Sequence, residues 1–263
     1  MTPSLGLAII ARDEADSLPH LLASVSGAFD SVALADTGST DRTVEVFEDW
    51  ATAADLPRGW RVESFPWCDD FAAAREFADS LLRTDWLASA DADDEIRGAD
   101  HLRGLVASVP PECACLAFDH LGGSGGPRVR VTRRGSTRWD GRVHEVPVLT
   151  RPGGVAVVPP DVTAWVHRRP DRPGSVERNR HLLEDWLADE PDNPRALGLT
   201  ATDLIDRGER DEAADLFGRY LDSPTTGAAL GPCGLDAARD ALARFRSGDG
   251  DAVEPILFGG MVA

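Results

Sequence analysis

Over its first hundred residues the chain alternates short apolar runs with helical stretches, and each apolar run ends in a polar or glycine-bearing loop. That rhythm is the mark of βαβ units wound around a largely parallel sheet, because a parallel connection must cross over the sheet and usually does so as a helix. Residues 5–11, 31–36, 61–65 and 85–90 are the strand candidates. Between them residues 18–26, 41–53 and 71–83 carry helical patterning, the first behind Ser17 as a capping candidate and the second behind the turn Gly38-Ser39-Thr40. From 114 to 167 shorter β-like runs are separated by Gly and Pro, notably in residues 121–126, which predicts an antiparallel extension. Residues 175–189, 193–207 and 210–221 then read as amphipathic helices. The expected architecture is α/β, with a mostly parallel, Rossmann-like sheet over residues 1–172 and a small helical region over 173–263.

Ligands of open α/β sheets bind beyond the carboxyl ends of the strands, so the loops there are where function is expected. They read Arg12-Asp13-Glu14, Asp36-Thr37-Gly38-Ser39, Pro66-Trp67-Cys68-Asp69-Asp70 and Asp91-Ala92-Asp93-Asp94. Carboxylates crowded at one rim repel each other unless a cation sits among them. Asp91 and Asp93, spaced i, i+2 at a strand end, can both reach one hard divalent cation, Mg²⁺ or Mn²⁺, if the loop turns. Asp36 and Asp41 read either as ligand contacts or as turn and cap residues. Trp67 reads as a stacking platform or as core, and Asp69 and Asp70 as caps of the next helix or as ligand contacts.

Composition narrows the setting. A chain of 263 residues with 42% hydrophobic content can bury a core, so disorder is excluded as the default. The net charge of −18, with all 27 basic residues Arg, argues against general affinity for nucleic acid or anionic lipid. Arg128, Arg130, Arg133, Arg134, Arg138 and Arg142 remain either a local groove for a phosphate-bearing acceptor or an outward row on strands. Cys68, Cys113, Cys115 and Cys233 lack the paired C-x-x-C spacing of a zinc or redox centre and are expected to be reduced, mostly buried thiols. No apolar run reaches the roughly 18 residues of a membrane span, and the opening segment has no basic stretch before its apolar run, so a soluble, cytoplasmic protein is expected.

The segments ARDEADSLPHLLASV, ADTGSTDRTVEVFEDW and FPWCDDFAAAREFADSLLRTDWLASADADDE, in this order, together resemble glycosyltransferase family 2, in particular its bacterial branch with tetratricopeptide-like helices after the catalytic domain. The likeness runs on through RWDGRVHE and AWVHRRP into ERNRHLLEDWL. It implies a GT-A fold, a nucleoside-diphosphate sugar donor with UDP-glucose as the default, a D-x-D site for Mn²⁺ or Mg²⁺, and hexose transfer with inversion to an acceptor left unidentified. Glycans, peptides or proteins, and modified nucleobases are all acceptors of such enzymes.

Carried onto this chain, the resemblance assigns Arg12, Glu14, Asp36, Asp41, Arg75 and Asp91 to the donor and Asp91 and Asp93 to the metal. His167 falls where some GT-A enzymes place a late metal-binding histidine, and it reads equally as a structural residue; Arg168, Arg169 and Arg172 beside it would screen a diphosphate or simply cover a loop. Asp13 stands where the family usually has Asn, and Glu76 where it has Asn after Arg75. Inverting transfer needs a base for the acceptor proton, and Glu145, then His144, with Asp140 in reserve, are the candidates; paired with Arg142, Glu145 would instead be a surface carboxylate. Two other readings compete: a nucleotidyltransferase, disfavoured because no glycine-rich loop follows the first strand, and a degenerate sugar-nucleotide-binding scaffold.

Overall fold

The computed structural model describes residues 2–121, 127–168 and 174–247. Four uninterrupted apolar runs become β1 (Leu5–Ala11), β2 (Ser31–Asp36), β3 (Trp60–Ser64) and β4 (Trp86–Asp91), with α1 (Leu18–Ser24), α2 (Thr43–Ala53) and α3 (Phe71–Ser80) between them. β1 pairs in parallel with β2 and β4, and β2 with β3. Every residue of β1 is buried, as expected of a parallel strand covered on both faces. Its alternate side chains serve two cores: Leu5, Leu7 and Ile9 pack with Leu18, Leu21, Leu22 and Phe47, while Ala8 and Ile10 pack with Ala33, Ala74 and Ala78. Small residues on that second face let α3 lie close to the sheet. Gly6 belongs to the same close packing, since a Cβ there would meet Thr84 Oγ1 at 2.5 Å.

The chain continues through β5 (Asp94–Arg97), a short 3₁₀ turn at Ala99–His101, α4 (Leu102–Ser108), β6 (Cys113–Phe118), β7 (His120–Leu121), β8 (Arg128–Arg133), β9 (Thr137–Asp140), β10 (Val146–Leu149), β11 (Gly154–Val158) and β12 (Ala164–His167). The main sheet has the order β11-β6-β8-β4-β1-β2-β3, and β8 runs antiparallel to both β4 and β6. This is the expected antiparallel extension. β9 and β10 form a hairpin, and β5, β12 and β7 form a small third sheet. Of the glycine-rich segment singled out in the sequence, residues 122–126 lie outside the described residues.

Two compact units result: Met1–Asp140 with His144–Pro170, and Gly141–Val143 with Asp171–Ala263. In the second, α5 (Ser175–Asp189), α6 (Pro194–Asp206) and α7 (Arg210–Asp222) match the expected helices to within two residues, and α8 (Pro224–Ser247) was not anticipated. Gly227, Gly231, Pro232 and Gly234 in its first half break the propensity signal that would announce it. Asn193 caps α6 by accepting from the N–H groups of Arg195 and Ala196, ahead of Pro194 at the first turn. Leu197, Ala201, Phe217, Tyr220, Leu242 and Phe245 build this unit's own core. Arg142, one candidate partner for Glu145, instead donates to Asp189 at 2.5 Å.

Among the described residues no helix is long and apolar enough to cross a membrane. Cys113 and Cys115 are buried thiols and Cys68 is exposed, in keeping with mostly buried, reduced cysteines. Ser17 does not cap α1. It already has helical dihedrals, and its hydroxyl turns back to donate to the Glu14 carboxylate.

Candidate active site

Three loops meet at the carboxyl ends of β1, β2 and β4. Asp13, in the left-handed region at φ 54°, uses its carboxylate to accept from the Thr40 N–H at 2.7 Å and the Asp41 N–H at 3.3 Å. Asp41 accepts in turn from the Ala15 N–H at 3.1 Å and the Thr43 N–H at 2.9 Å. The Thr40 hydrogen bond holds Asp13 below the ordinary carboxylate range, and at Asp41 bonds from Thr43 and Ala15 outweigh the desolvation that would raise it. These two acids therefore knit the first two loops together. Asp36, buried at the end of β2, accepts from the Ser39 N–H at 3.1 Å. Glu14 is buried and Arg12 is exposed on the same loop.

The third loop is held by cations. Arg75, on α3 with a side chain only 5% exposed, donates from Nε to Glu145 Oε1 at 3.0 Å, from Nη1 to the Ala90 carbonyl at 3.1 Å and from Nη2 to Asp91. One guanidinium thus joins the first Asp of the D-x-D to the candidate base. Burial works against a charged Arg75, but Asp91 and Glu145 raise its pKa beyond the usual value. Burial likewise pushes Asp91 up, and Arg75 and Arg130 bring it below normal. Arg130 Nη2 lies 3.6 Å from the other Asp91 oxygen.

Among the described residues no guanidinium pairs with Asp93. His167 Nδ1 lies 3.7 Å from it, and burial together with the charge of Asp91 raises Asp93 to about 6. His167 is pushed up to about 9, first by its hydrogen bond to Asp94. An aspartate oxygen beside an imidazole nitrogen is a donor pair suited to Mn²⁺ and less to Mg²⁺. With Asp91 engaged by two arginines, Asp93 is the acid with most to gain from a divalent cation. A cleft of about 200 Å³ lined by Asp16, Ser17, His20, Asp93 and Arg168 opens beside it.

Glu145 follows His144, itself in the left-handed region at φ 53° and exposed, while the Glu145 side chain is 13% exposed. The hairpin leading to them is gripped by α3: the Trp139 N–H donates to Glu76 at 2.5 Å, its indole N–H donates to Asp79 at 2.8 Å, and Arg75 lies over its ring at 5.5 Å. Asp140 pairs with Arg138 at 2.9 Å.

Other sequence candidates have structural employment. Trp67 packs edge-on against Phe71 and donates to Asp69, and Asp70 caps α3 through the Ala73 N–H. Of the arginine row, three have partners within the protein: Arg133 lies over Trp86 and donates to the Cys113 carbonyl, Arg134 donates to the Thr84 and Leu82 carbonyls, and Arg130 points to Asp91. Strand edges and carbonyls nearby offered these long side chains closer partners than solvent. Arg168 pairs with Glu95, and Arg169 and Arg172 lie outside the described residues.

With this geometry in view, the glycosyl transferase family 2 model matches residues 7–168. The chain belongs to glycosyl transferase family 2. Curated relatives include a TPR repeat-containing protein of Synechococcus elongatus, 29% identical over 225 residues, 78% of this chain and 53% of that one. The SPbeta prophage-derived glycosyltransferase SunS of Bacillus subtilis is 24% identical over 241 residues, 84% of this chain and 54% of that one. The chain therefore spans about half the length of these relatives. Among solved structures, S. aureus TarS 1-349 in complex with UDP-GlcNAc aligns over 98% of this chain and 90% of its own, with TM-score 0.54 and 12% identity. A mannosyltransferase from Pyrobaculum calidifontis in complex with GDP-Man and Mn²⁺ aligns over 100% and 87%, with TM-score 0.52 and 17% identity. These likenesses give the family 2 chain its fold, GT-A.

Proposed function

We propose that this family 2 chain is an inverting, metal-assisted glycosyltransferase that moves a hexose from a nucleoside-diphosphate sugar to the hydroxyl, thiol or amine of an acceptor. One observation carries the reading: a single buried guanidinium, Arg75, holds Asp91 and Glu145 together while Asp93 stands beside His167. Residues 1–172 are the catalytic domain in this reading, and 173–263 a helical appendage.

Asp36 and the Arg12–Glu14 loop hold the nucleoside, and Asp93 with His167 would hold Mn²⁺ or Mg²⁺, which supplies positive charge to the departing diphosphate. Asp91, fixed by Arg75 and Arg130, orients the donor at the end of β4. Arg75 engages Glu145 through Oε1, so Oε2 is the oxygen that takes the acceptor proton during displacement. His144, the neighbouring candidate, is exposed. The ligands in complex with the structural neighbours, UDP-GlcNAc in one and GDP-Man with Mn²⁺ in the other, support the donor class. UDP-glucose is the donor to test first, and the cytoplasm, where such donors are made, is the proposed setting.

Calorimetry with a panel of nucleoside-diphosphate sugars, with and without Mn²⁺, tests this directly. Metal-dependent binding of one donor, lost in Asp91→Ala/Asp93→Ala, is expected. A folded protein that binds no donor would instead be a degenerate scaffold.

A further inference from the structure

Asp94 lies just past the D-x-D and is absent from the residues that the sequence nominates, yet it is the most completely enclosed acid of the site. Its side chain is 0% exposed. Oδ2 accepts the backbone N–H of Asp91 at 2.9 Å, closing the turn that carries Asp91 and Asp93. Oδ1 faces His120 Nε2 at 3.4 Å and His167 Nδ1 at 3.3 Å. The three residues come from the three strands of the small sheet: β5 supplies Asp94, β7 His120 and β12 His167, with His167 directly opposite Asp94 in the antiparallel register. One carboxylate thus ties the turn of the D-x-D to the histidine that stands next to Asp93.

The ligand atoms of Asp94, His120 and His167 lie within 4.8 Å of one another, so the trio must be weighed as a metal site in its own right. Its geometry speaks against that. Oδ2 of Asp94 is already engaged by the Asp91 N–H, and Arg130 Nη2 stands 3.2 Å from His120 Nε2, so an incoming cation would sit against a guanidinium. With the hydrogen of His167 on Nδ1, Asp94 accepts it, the lone pair is left on Nε2 and the ring plane is set, the arrangement by which outer carboxylates orient metal-binding histidines; Nε2, not the Nδ1 that lies 3.7 Å from Asp93, is then the nitrogen that would share an ion with Asp93.

We infer that Asp94 is a positioning residue of the metal site: it holds His167 in the ligating tautomer and holds the Asp91–Asp93 turn against it, without touching the ion. This rests on the reading of Asp93 and His167 as metal ligands.

The test is Mn²⁺ affinity, read from the free-ion electron paramagnetic resonance signal, in the wild type and in Asp94→Asn, His120→Gln and Asp93→Ala. Asp94→Asn keeps the shape and an acceptor for the Asp91 N–H, and its fold is checked by circular dichroism and by a thermal melt in the absence of metal. The expected result is an Mn²⁺ Kd raised roughly 10- to 100-fold in Asp94→Asn, close to the wild type in His120→Gln, and beyond measurement in Asp93→Ala. Wild-type affinity in folded Asp94→Asn, alongside loss in Asp93→Ala, overturns the inference and leaves the metal reading intact. A larger loss in His120→Gln than in Asp94→Asn also overturns it, by making His120 a direct ligand. Failure of the wild type to bind Mn²⁺ removes the metal reading itself and this inference with it. Should Asp94→Asn fail to fold, His167→Gln and His120→Gln carry the comparison: loss in the first alone supports the inference, and equal loss in both overturns it.

Discussion

Replacing Arg75 with methionine keeps most of the side-chain volume and removes the charge that two carboxylates share. In the native chain its Nε and Nη2 bind Glu145 and Asp91, whose side chains are 13% and 31% exposed, and its Nη1 binds the Ala90 carbonyl. Removing one partner of such a buried set leaves uncompensated charge, at roughly 3 to 5 kcal/mol. Arg130 remains 3.6 Å from Asp91, which places the expected loss at the lower end, about 3 kcal/mol. For a domain of this size that is roughly 6 to 12 °C in Tm at neutral pH. The pH dependence carries its own sign. Asp91 is held below its ordinary pKa, so the stability it contributes is present above the ordinary carboxylate range and is lost as pH falls through the lowered value. The gap between Arg75→Met and wild type is therefore widest near pH 7.5 and narrows in acid, and adding Glu145→Gln to Arg75→Met recovers part of it. Scanning calorimetry at pH 7.5 and at about pH 3, below the ordinary carboxylate value, measures both. A Tm within a degree of wild type at pH 7.5 would refute the claim that this guanidinium organises the site.

Asp79 is raised to about 6 by burial, so its ionisation weakens the fold as pH rises from the ordinary range through 6; Asp79→Asn keeps an acceptor for the Trp139 indole and should gain up to about 2 kcal/mol at pH 8 with no gain below pH 4, in denaturant melts at the two pH values. Gly98 has φ 69° and a Cβ there would stand 2.1 Å from the Val162 carbonyl, so Gly98→Ala should cost about 1 to 3 kcal/mol and lower Mn²⁺ affinity by disturbing the small sheet; an unchanged melt would contradict this. Glu145→Gln should lower kcat about 10²- to 10⁴-fold with donor affinity retained, whereas His144→Asn should not; the reverse pattern in steady-state kinetics would move the base to His144. Mn²⁺ uptake should release protons at pH 7, because His167, raised to about 9, must give one up to ligate; calorimetry in buffers of differing ionisation enthalpy detects it.

What the sequence disclosed and what it withheld follow from the range of the interactions. β1 and β2 lie where their apolar runs predict, because a strand buried on both faces announces itself by continuous burial. β4 ends on Asp91, and the D-x-D is legible because both acids and the strand are contiguous. Asp94 and His120 were invisible as a pair, since 26 residues separate them and a lone histidine on a short strand looks like any other. His167 and Asp94 are 73 residues apart and meet only through the register of β5 with β12. Arg75 was noticed as a donor residue, but nothing local shows that a helix on one side of β4 will send its guanidinium to both Asp91 and Glu145. Ser17 failed as a cap for a similar reason, its hydroxyl having found Glu14 first.

The charges at the site suggest why a chain of net charge −18 spends buried arginines there. Asp91, Asp93, Asp94 and Glu145 are four carboxylates linked through shared partners, and among the described residues Arg75 and Arg130 are permanent cations paired with them. His167 adds a third positive charge only while protonated. With the imidazole neutral, these four carboxylates outnumber the two arginines paired with them. The deficit is not spread evenly: Asp91 and Asp94 are held below the ordinary carboxylate range, and Asp93 alone of the three is raised. Fixing the neighbours with arginines and histidines concentrates the unmet charge on one acid. In the proposed metal-assisted reading, a cation drawn to that acid would find His167 already beside it, so the ordering entropy of assembling the ligands would be met by the fold before the ion arrives.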